Sequence, residues 1–550
     1  MKKSIVLLVL LLMITAVTGF VGITGDNVSM IVQAANVETA VSLAQAYGGQ
    51  VREPLDIIHA VAANIPRARL AALSQDSRLV NIYPDDTVYL AGGQLRNAPE
   101  SYFPEAMGVD QVWDANITGN GVTVAVVDTG IAPFVWSVQR IIARYDALDY
   151  GPHFVDLHGH GTMMASIIGN QTQDSDGYIG VAPDVNFVDV RVLDQHGQGT
   201  YTDVIEGLNW ILAHKDAYNI RVVNLSLIAA VSGPYWANPI NQAVEALWDA
   251  GIVVVAAAGN GGPDALTIST PGNDPFIITV GAFTDNFTPD DVNDDYITPF
   301  SGAGPTESGF IKPDVVAPGA HMVVTVHDKM TWAQQNPDAR ITKFYYQIAG
   351  TSAAAAAVSG VTALMLQANP DMTPNQVKYA LMASAQPAAY ADNSLTWSVY
   401  QQGSGRVWAP AAVLAPAVGA ANGSMIPGEA YIGPVVYRDG LFRVVDETGQ
   451  DVPDGEFYTW DGVHDPTVSG YAWVGGYAWV GGYAWVGGYA WVGSFEWLPL
   501  AEGDDWQSGY TWVGDEGWAG GYAWVGGYAW VGGYAWVGNS IVPALINSNE

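Results

Sequence analysis

Three short stretches carry the side chains most suited to chemistry. "VAVVDTGI" puts Asp128 at the end of an apolar run, "HGHGTMMAS" puts His160 before Gly161, Thr162 and a small-residue segment, and "GTSAAAAAVSG" puts Ser352 at the head of an alanine run. Each has a plain structural explanation when taken alone. An Asp at a strand end is usually a loop or cap residue, a lone His is usually structural, and a Ser before five alanines reads as the start of an ordinary helix. All three fall where strands end or helices begin, the places where an open parallel sheet exposes functional groups. A carboxylate, an imidazole and a hydroxyl together supply nucleophilic chemistry, because a serine hydroxyl attacks only after a neighbouring base removes its proton.

The chain must supply the elements that position these groups. It has 550 residues, 49% hydrophobic and 13% charged, enough for more than one domain and a full-sized core. Acidic residues outnumber basic ones 54 to 20, giving a formal charge of −34, which disfavours nucleic acid and anionic membranes as partners. Cysteine is absent, so disulfides, thiolate metal sites and a cysteine nucleophile are excluded. Lys2 and Lys3 precede an apolar run from Ile5, the pattern of an export signal over residues 1–25. Ala16 and Thr18 before Gly19 suit cleavage, with retention as an anchor the alternative. No later stretch reads as a membrane span.

Residues 26–91 alternate short apolar pieces in the order strand, helix, two strands, helix, strand, with "LVNIYPDDTVYL" as the last strand. This is the split βαβ, ferredoxin-like plan. A polar link at 92–98 follows. From 99 to 419, Val- and Ile-rich runs such as "VTVAVVDT", "NFVDVRVL", "RVVNLSL", "GIVVVAAAG" and "FIITVGAF" alternate with helical segments. Runs apolar on both faces predict buried parallel strands, hence an α/β domain with a mostly parallel sheet and helices on both faces. Residues 420–470 read as a linker region, 471–539 as an aromatic repeat array and 540–550 as a tail.

The three motifs resemble those of the subtilases, the subtilisin-like serine proteases, in sequence order Asp, His, Ser. "GVAP" at Gly180, "VRVLDQHGQGT" from Val190, "VVNLSL" from Val222, "AAAGN" ending at Asn260, "FSGAGPT" from Phe300 and "KPDVVAPG" from Lys312 follow the family's order between Val109 and Val413. The resemblance implies that Ser352 is the nucleophile, His160 the general base and then acid, and Asp128 the group that orients and stabilises the imidazole. It implies that Asn260 donates its amide to the oxyanion, together with the Ser352 N–H at the positive end of a helix. Gly197, Gln198 and Gly199 on one side, and Ser226, Leu227 and Ile228 on the other, would flank an extended substrate as added strands. Ala257, Ala258 and Gly259 would line the pocket for the residue before the cut. No cofactor is implied for catalysis.

Two departures stand out. Ile228 occupies a position where the family usually has Gly, which would reshape the pocket. Ala353, Ala356 and Ala357 replace the family's Met, Pro and His, preserving helix propensity and removing packing volume near the nucleophile. The segment 26–91 resembles the subtilisin propeptide, which implies an intramolecular inhibitor cut away in the link. Calcium is common in the family as structural support, and "TDNFTPDDVNDDY" from Thr284 to Tyr296 offers oxygen ligands. A solvated acidic loop is the commoner explanation of such a run.

"YAWVGG" repeats from Tyr471, and its tryptophans, Trp473 to Trp497 and then Trp506 to Trp536, keep a step of six residues on each side of a short slip. Tyr and Trp fall on one strand face, Ala and Val on the other. Antiparallel strands with Gly-Gly turns, a hexapeptide β-helix and a flexible string of aromatic stickers all fit. For the array, attachment to carbohydrate or the cell envelope, self-association, and mutual burial as a stable appendage are the open uses. The expected function is a secreted serine endopeptidase acting on proteins or peptides, made as a self-inhibited precursor. The alternative is a surface adhesion or carbohydrate-binding protein on a subtilase scaffold.

Overall fold

A computed structural model describes residues 27–85, 87–90, 103–149, 151, 155–173, 177–288, 292, 294–389, 395–423, 425–446, 449–452 and 458–465, with isolated strands between 472 and 538. The export or anchor segment, the link at 92–98, most of the repeat array and the tail lie outside the described residues. The chain divides into two compact units, residues 1–84 and 85–550.

The first unit contains β1 (Asn27–Ala34), a helix (Val37–Ala46), β2 (Gln50–Leu55), β3 (Ala60–Pro66), a short helix (Leu70–Leu73) and β4 (Leu79–Pro84). All strand pairs are antiparallel, in the order β2-β3-β1-β4, the arrangement expected of a split βαβ unit. Alternation places Met30, Val32, Val61, Ala63 and Ile65 against Ala40, Leu43 and Ala44 of the first helix. That helix starts at Asn36, whose side chain accepts the Thr39 N–H, an N-cap that satisfies one of the helix's orphan donors.

"LVNIYPDDTVYL" is two strands rather than one. After Pro84, Asp85 turns to accept the N–H of Thr202 at 2.9 Å, in the first turn of the Tyr201–His214 helix. β5 (Thr87–Leu90) then pairs antiparallel with β9 (Gln198–Thr200) on one side and β11 (Leu227–Ile228) on the other. Adjacent acidic residues are poor strand formers, and they divide the run.

The core of the second unit is an eight-stranded sheet. Its strands are β6 (Thr123–Asp128), β7 (Ile141–Asp146), β8 (Asn186–Arg191), β10 (Ile220–Leu225), β12 (Val253–Ala257), β13 (Ile278–Thr284), β14 (Tyr296–Ile297) and β15 (Val315–Pro318). The order is β14-β13-β12-β10-β6-β8-β7, with β15 also on β13. Every pair is parallel except β13–β14. β6, β12 and β13 are buried along their whole length, as strands covered on both faces must be. The first of these strands in the chain, β6, lies between β8 and β10, so the chain reverses its direction of winding beside it. Asp128 ends that strand, at a topological switch point where open α/β sheets place their sites.

Helices cover both faces. Tyr201–His214 packs on Pro239–Asp249, and Thr351–Ala368 packs on His160–Gly169 and on strands β6, β10, β12, β13 and β15. Thr351–Ala368 is an 18-residue helix with mean hydropathy 1.3, so by length and composition it corrects the expectation that no later stretch is apolar enough to span a membrane. Its apolar window is 89% buried, and it is a core helix.

The stretch 420–470, expected as a linker, carries a folded extension. β19 (Val435–Arg438), β20 (Leu441–Val444) and β21 (Thr459–Trp460) form an antiparallel sheet. Tyr431 donates its N–H to the Tyr235 hydroxyl at 3.0 Å, the Tyr400 hydroxyl donates to the Tyr458 carbonyl at 2.9 Å, and Ala265 donates its N–H to the Gly462 carbonyl at 2.9 Å. Apolar residues drive the attachment, since Tyr431, Ile432, Val435 and Phe442 are buried. Beyond it, Ala472–Trp473 of the first repeat pairs with Ala388–Ala389, and Tyr522–Trp524 pairs antiparallel with Tyr528–Trp530.

Candidate active site

β6 delivers Asp128, fully buried, to the start of the His160–Gly169 helix. His160 places Nδ1 2.9 and 2.8 Å from the two carboxylate oxygens of Asp128. A carboxylate accepts, so Nδ1 carries a proton, and in the neutral imidazole Nε2 then keeps its lone pair. Nε2 is buried and without a hydrogen-bond partner among the described residues, the state of a base awaiting a proton.

The approach of strand and helix depends on Gly161. A Cβ there would lie 2.2 Å from the Gly130 carbonyl oxygen and 3.0 Å from the Asp128 Cβ, so a side chain would push the imidazole away from its carboxylate. Thr129 Oγ1 accepts the Gly161 N–H at 2.9 Å. Asp156 accepts from Gly159 N at 2.7 Å, Thr162 N at 3.1 Å and Thr162 Oγ1 at 2.6 Å. It therefore caps the helix that carries His160. Burial pushes the Asp156 carboxyl up from its ordinary range against the pull of those hydrogen bonds. Burial, reinforced by the neighbouring His160, brings the His158 imidazole down to about 4.

Ser352 sits in the first turn of the Thr351–Ala368 helix and is 1% exposed. Its hydroxyl donates to the Ser226 carbonyl at 3.1 Å, and the Ser226 hydroxyl donates back to the Ser352 carbonyl at 2.9 Å. Asn224 Nδ2 donates to Ser226 Oγ at 2.9 Å, and the Ser359 hydroxyl donates to Asn224 Oδ1 at 3.0 Å. A buried polar chain thus ties the end of β10 to the helix that bears the hydroxyl.

Asn260 has its two amide atoms in different situations. Oδ1 accepts from Thr351 N at 2.9 Å and from Thr351 Oγ1 at 3.0 Å, which fixes the amide orientation. Nδ2 is buried with no partner among the described residues. An unmade hydrogen bond of this kind costs about 1–3 kcal/mol, and it lies one residue from Ser352 in the hydrogen-bond network. Such a donor, held ready beside a hydroxyl at a helix N-terminus, is what a developing oxyanion needs.

The sequence-derived positions at 197–199 and 226–228 group around β5. Gln198 and Gly199 are in β9, with Gly197 just before it, and Leu227 and Ile228 form β11, with Ser226 just before it. Tyr89 of β5 is opposite both Gln198 and Ile228, and Leu90 is opposite Leu227. Ile228 is half-buried. Ala257 and Ala258 are fully buried at the end of β12, and Gly259 donates its N–H to Thr351 Oγ1 at 3.1 Å. The alanines at 353–357 are all fully buried. Asp156, Thr129, Asn224 and Ser359 carry no motif in the sequence that marks them, and Thr162 enters only as part of the His160 motif. Asp156 alone left a trace, as an acidic residue just ahead of a helix start.

The described carboxylates of Thr284–Tyr296 are already engaged. Asp294 accepts from Asn286 and Thr288, Asp285 accepts from Phe287 N, and Asp295 is 3.5 Å from Arg406. Among the described residues no group of three or more His, Cys, Asp or Glu is placed to hold a metal ion, and Asp290 and Asp291 of this segment lie outside the described residues.

The sequence profile of the subtilase family matches residues 119–405, more than half of the chain. The serine protease AprX of Bacillus subtilis (strain 168) is 40% identical over 271 residues, covering 48% of this chain and 61% of AprX. The extracellular serine proteinase of Thermus sp. (strain Rt41A) is 33% identical over 344 residues, covering 60% of this chain and 72% of that protein. Fervidolysin from Fervidobacterium pennivorans, described as a keratinolytic enzyme related to subtilisin, superposes with a TM-score of 0.57 at 22% identity, over 72% of this chain and 62% of that one. Fold, motif order and family profile agree, and the chain belongs to the subtilase family.

Proposed function

We propose that the protein is an exported serine endopeptidase that cleaves polypeptides through an acyl-enzyme and is made as a self-inhibited precursor. The observation that carries this reading is the Asp128–His160 contact, which leaves Nε2 as a buried, unpartnered base. His160 takes the Ser352 proton as the hydroxyl attacks the peptide carbonyl, then returns it to the departing amine. Asp128 holds the tautomer and stabilises the imidazolium. Asn260 Nδ2 and the Ser352 N–H receive the oxyanion. The new ester is then hydrolysed by water, with His160 repeating its two roles.

The self-inhibited state is supported by β5. This strand comes from chain that precedes the catalytic block and lies between β9 and β11, where an extended substrate would add. The positively charged N-terminus, and a relative named an extracellular serine proteinase, support export. Purified Ser352→Ala is expected to retain its N-terminal segment and to hydrolyse no peptide nitroanilide, whereas the unaltered chain cleaves both. A Ser352→Ala chain that matures in isolation contradicts self-cleavage.

A further inference from the structure

A cleft of about 870 Å³ has walls drawn from all three catalytic segments. Ala132 to Trp136 follow Asp128, Val155 to Leu157 precede His160, and Thr325 and Tyr345 belong to the antiparallel pair β16 (Met322–Thr325) and β17 (Tyr345–Ile348), which leads into Ser352. Met330 packs between the cleft and Gly159, the residue before His160. A Cβ on Gly159 would lie 2.6 Å from Val326 Cγ2 and 3.2 Å from the Met330 sulfur, and Met330 lines the cleft. The loop between β16 and β17 is tied to the same segment, since Thr331 and Trp332 donate their N–H groups to the carbonyls of Leu157 and His158, each at 2.9 Å.

The lining is apolar and open. Val135 is 94% exposed, Leu157 47%, Val155 46% and Phe344 38%, and the Phe134 and Phe344 rings meet edge to face at 6.2 Å. Asp156, the carboxylate among the lining residues, is turned inward to Gly159 and Thr162. Exposed apolar side chains gathered into one concavity mark a binding surface.

β5 gives the direction of a bound chain. It runs from opposite Thr200 to opposite Leu227, next to Ser226, whose carbonyl accepts the Ser352 hydroxyl. A polypeptide in this register fills the β9–β11 channel with the residues before the bond. Residues after the bond continue beyond Ser352. The described lining of the cleft includes no residue of β9 or β11, and its segments run in sequence into those of Asp128, His160 and Ser352.

We propose that this cleft receives the side chains of a polypeptide substrate immediately after the scissile bond and selects aromatic or large aliphatic ones there. The inference rests on the serine peptidase reading and assigns Val135, Leu157 and Phe344 as specificity determinants. Full burial of one such side chain, compared with an alanine, corresponds to about a ten- to hundredfold gain in kcat/KM.

The test uses the mature protein and internally quenched peptides with one fixed N-terminal half and Ala, Leu or Phe after the bond. A nitroanilide of the same N-terminal half has no residues there. The unaltered protein is expected to prefer Leu and Phe by about ten- to hundredfold over Ala. Val135→Asp and Phe344→Ala are each expected to lose most of that preference while nitroanilide hydrolysis stays within about twofold. Absence of the preference, or its survival in both variants, overturns the proposal. Equal losses on peptide and nitroanilide also overturn it, by making these residues structural. Failure of the unaltered protein on every substrate overturns the peptidase reading itself.

Discussion

At the residue scale, the oxyanion role proposed for Asn260 rests on a hydrogen bond that is not made. Its Oδ1 is fixed by Thr351, and its Nδ2 is buried without a partner among the described residues. Asn260→Ala is expected to lower kcat by about 10²- to 10³-fold, the loss typical of oxyanion donors in this family, with little change in KM. Unchanged kcat contradicts the role. Asn260, Asp128, His160 and Ser352 were legible in sequence because each sits in a short motif at a strand end or helix start. The supports were not. Asp156 and Thr129 act through backbone N–H groups, and Asn224 and Ser359 meet across 135 positions of sequence, so no local pattern announces them.

At the element scale, the helix that presents Ser352 works by being thin. Its alanines are fully buried, and it packs against five strands and the His160 helix, so the residues that departed from the family pattern are now part of a close-packed core. Gly360 marks the tightest approach. A Cβ there would lie 2.6 Å from the Val181 Cβ and 3.2 Å from the Ile168 carbonyl oxygen. Gly360→Val is expected to destabilise the fold by about 2 kcal/mol, within the usual cost of overpacking, seen as a lower urea midpoint. An unchanged midpoint contradicts this packing account. The parallel strands were legible because runs of Val and Ile apolar on both faces have few other uses. β5 was not separable from β4, because its partners β9 and β11 lie more than a hundred residues away. β7 escaped notice because its residues are mostly half-buried, without the strong apolar pattern of its neighbours.

At the scale of the whole molecule, the α/β unit is followed by a separate antiparallel sheet, β19–β21, in a stretch that composition alone presented as a linker. Its attachment relies on tyrosines and carbonyls far apart in sequence, Tyr235 with Tyr431 and Tyr400 with Tyr458. The apolar cleft was equally invisible in sequence, because residues 132–136, 155–157 and 325–345 converge only on folding. What ties these features into one account is a single activated hydroxyl. A fluorophosphonate probe on the mature protein, followed by peptide mapping, tests it most directly. The account predicts one label, on Ser352, with matching loss of nitroanilide hydrolysis and no labelling of His160→Ala. No label on Ser352, or hydrolysis that survives its complete labelling, contradicts it.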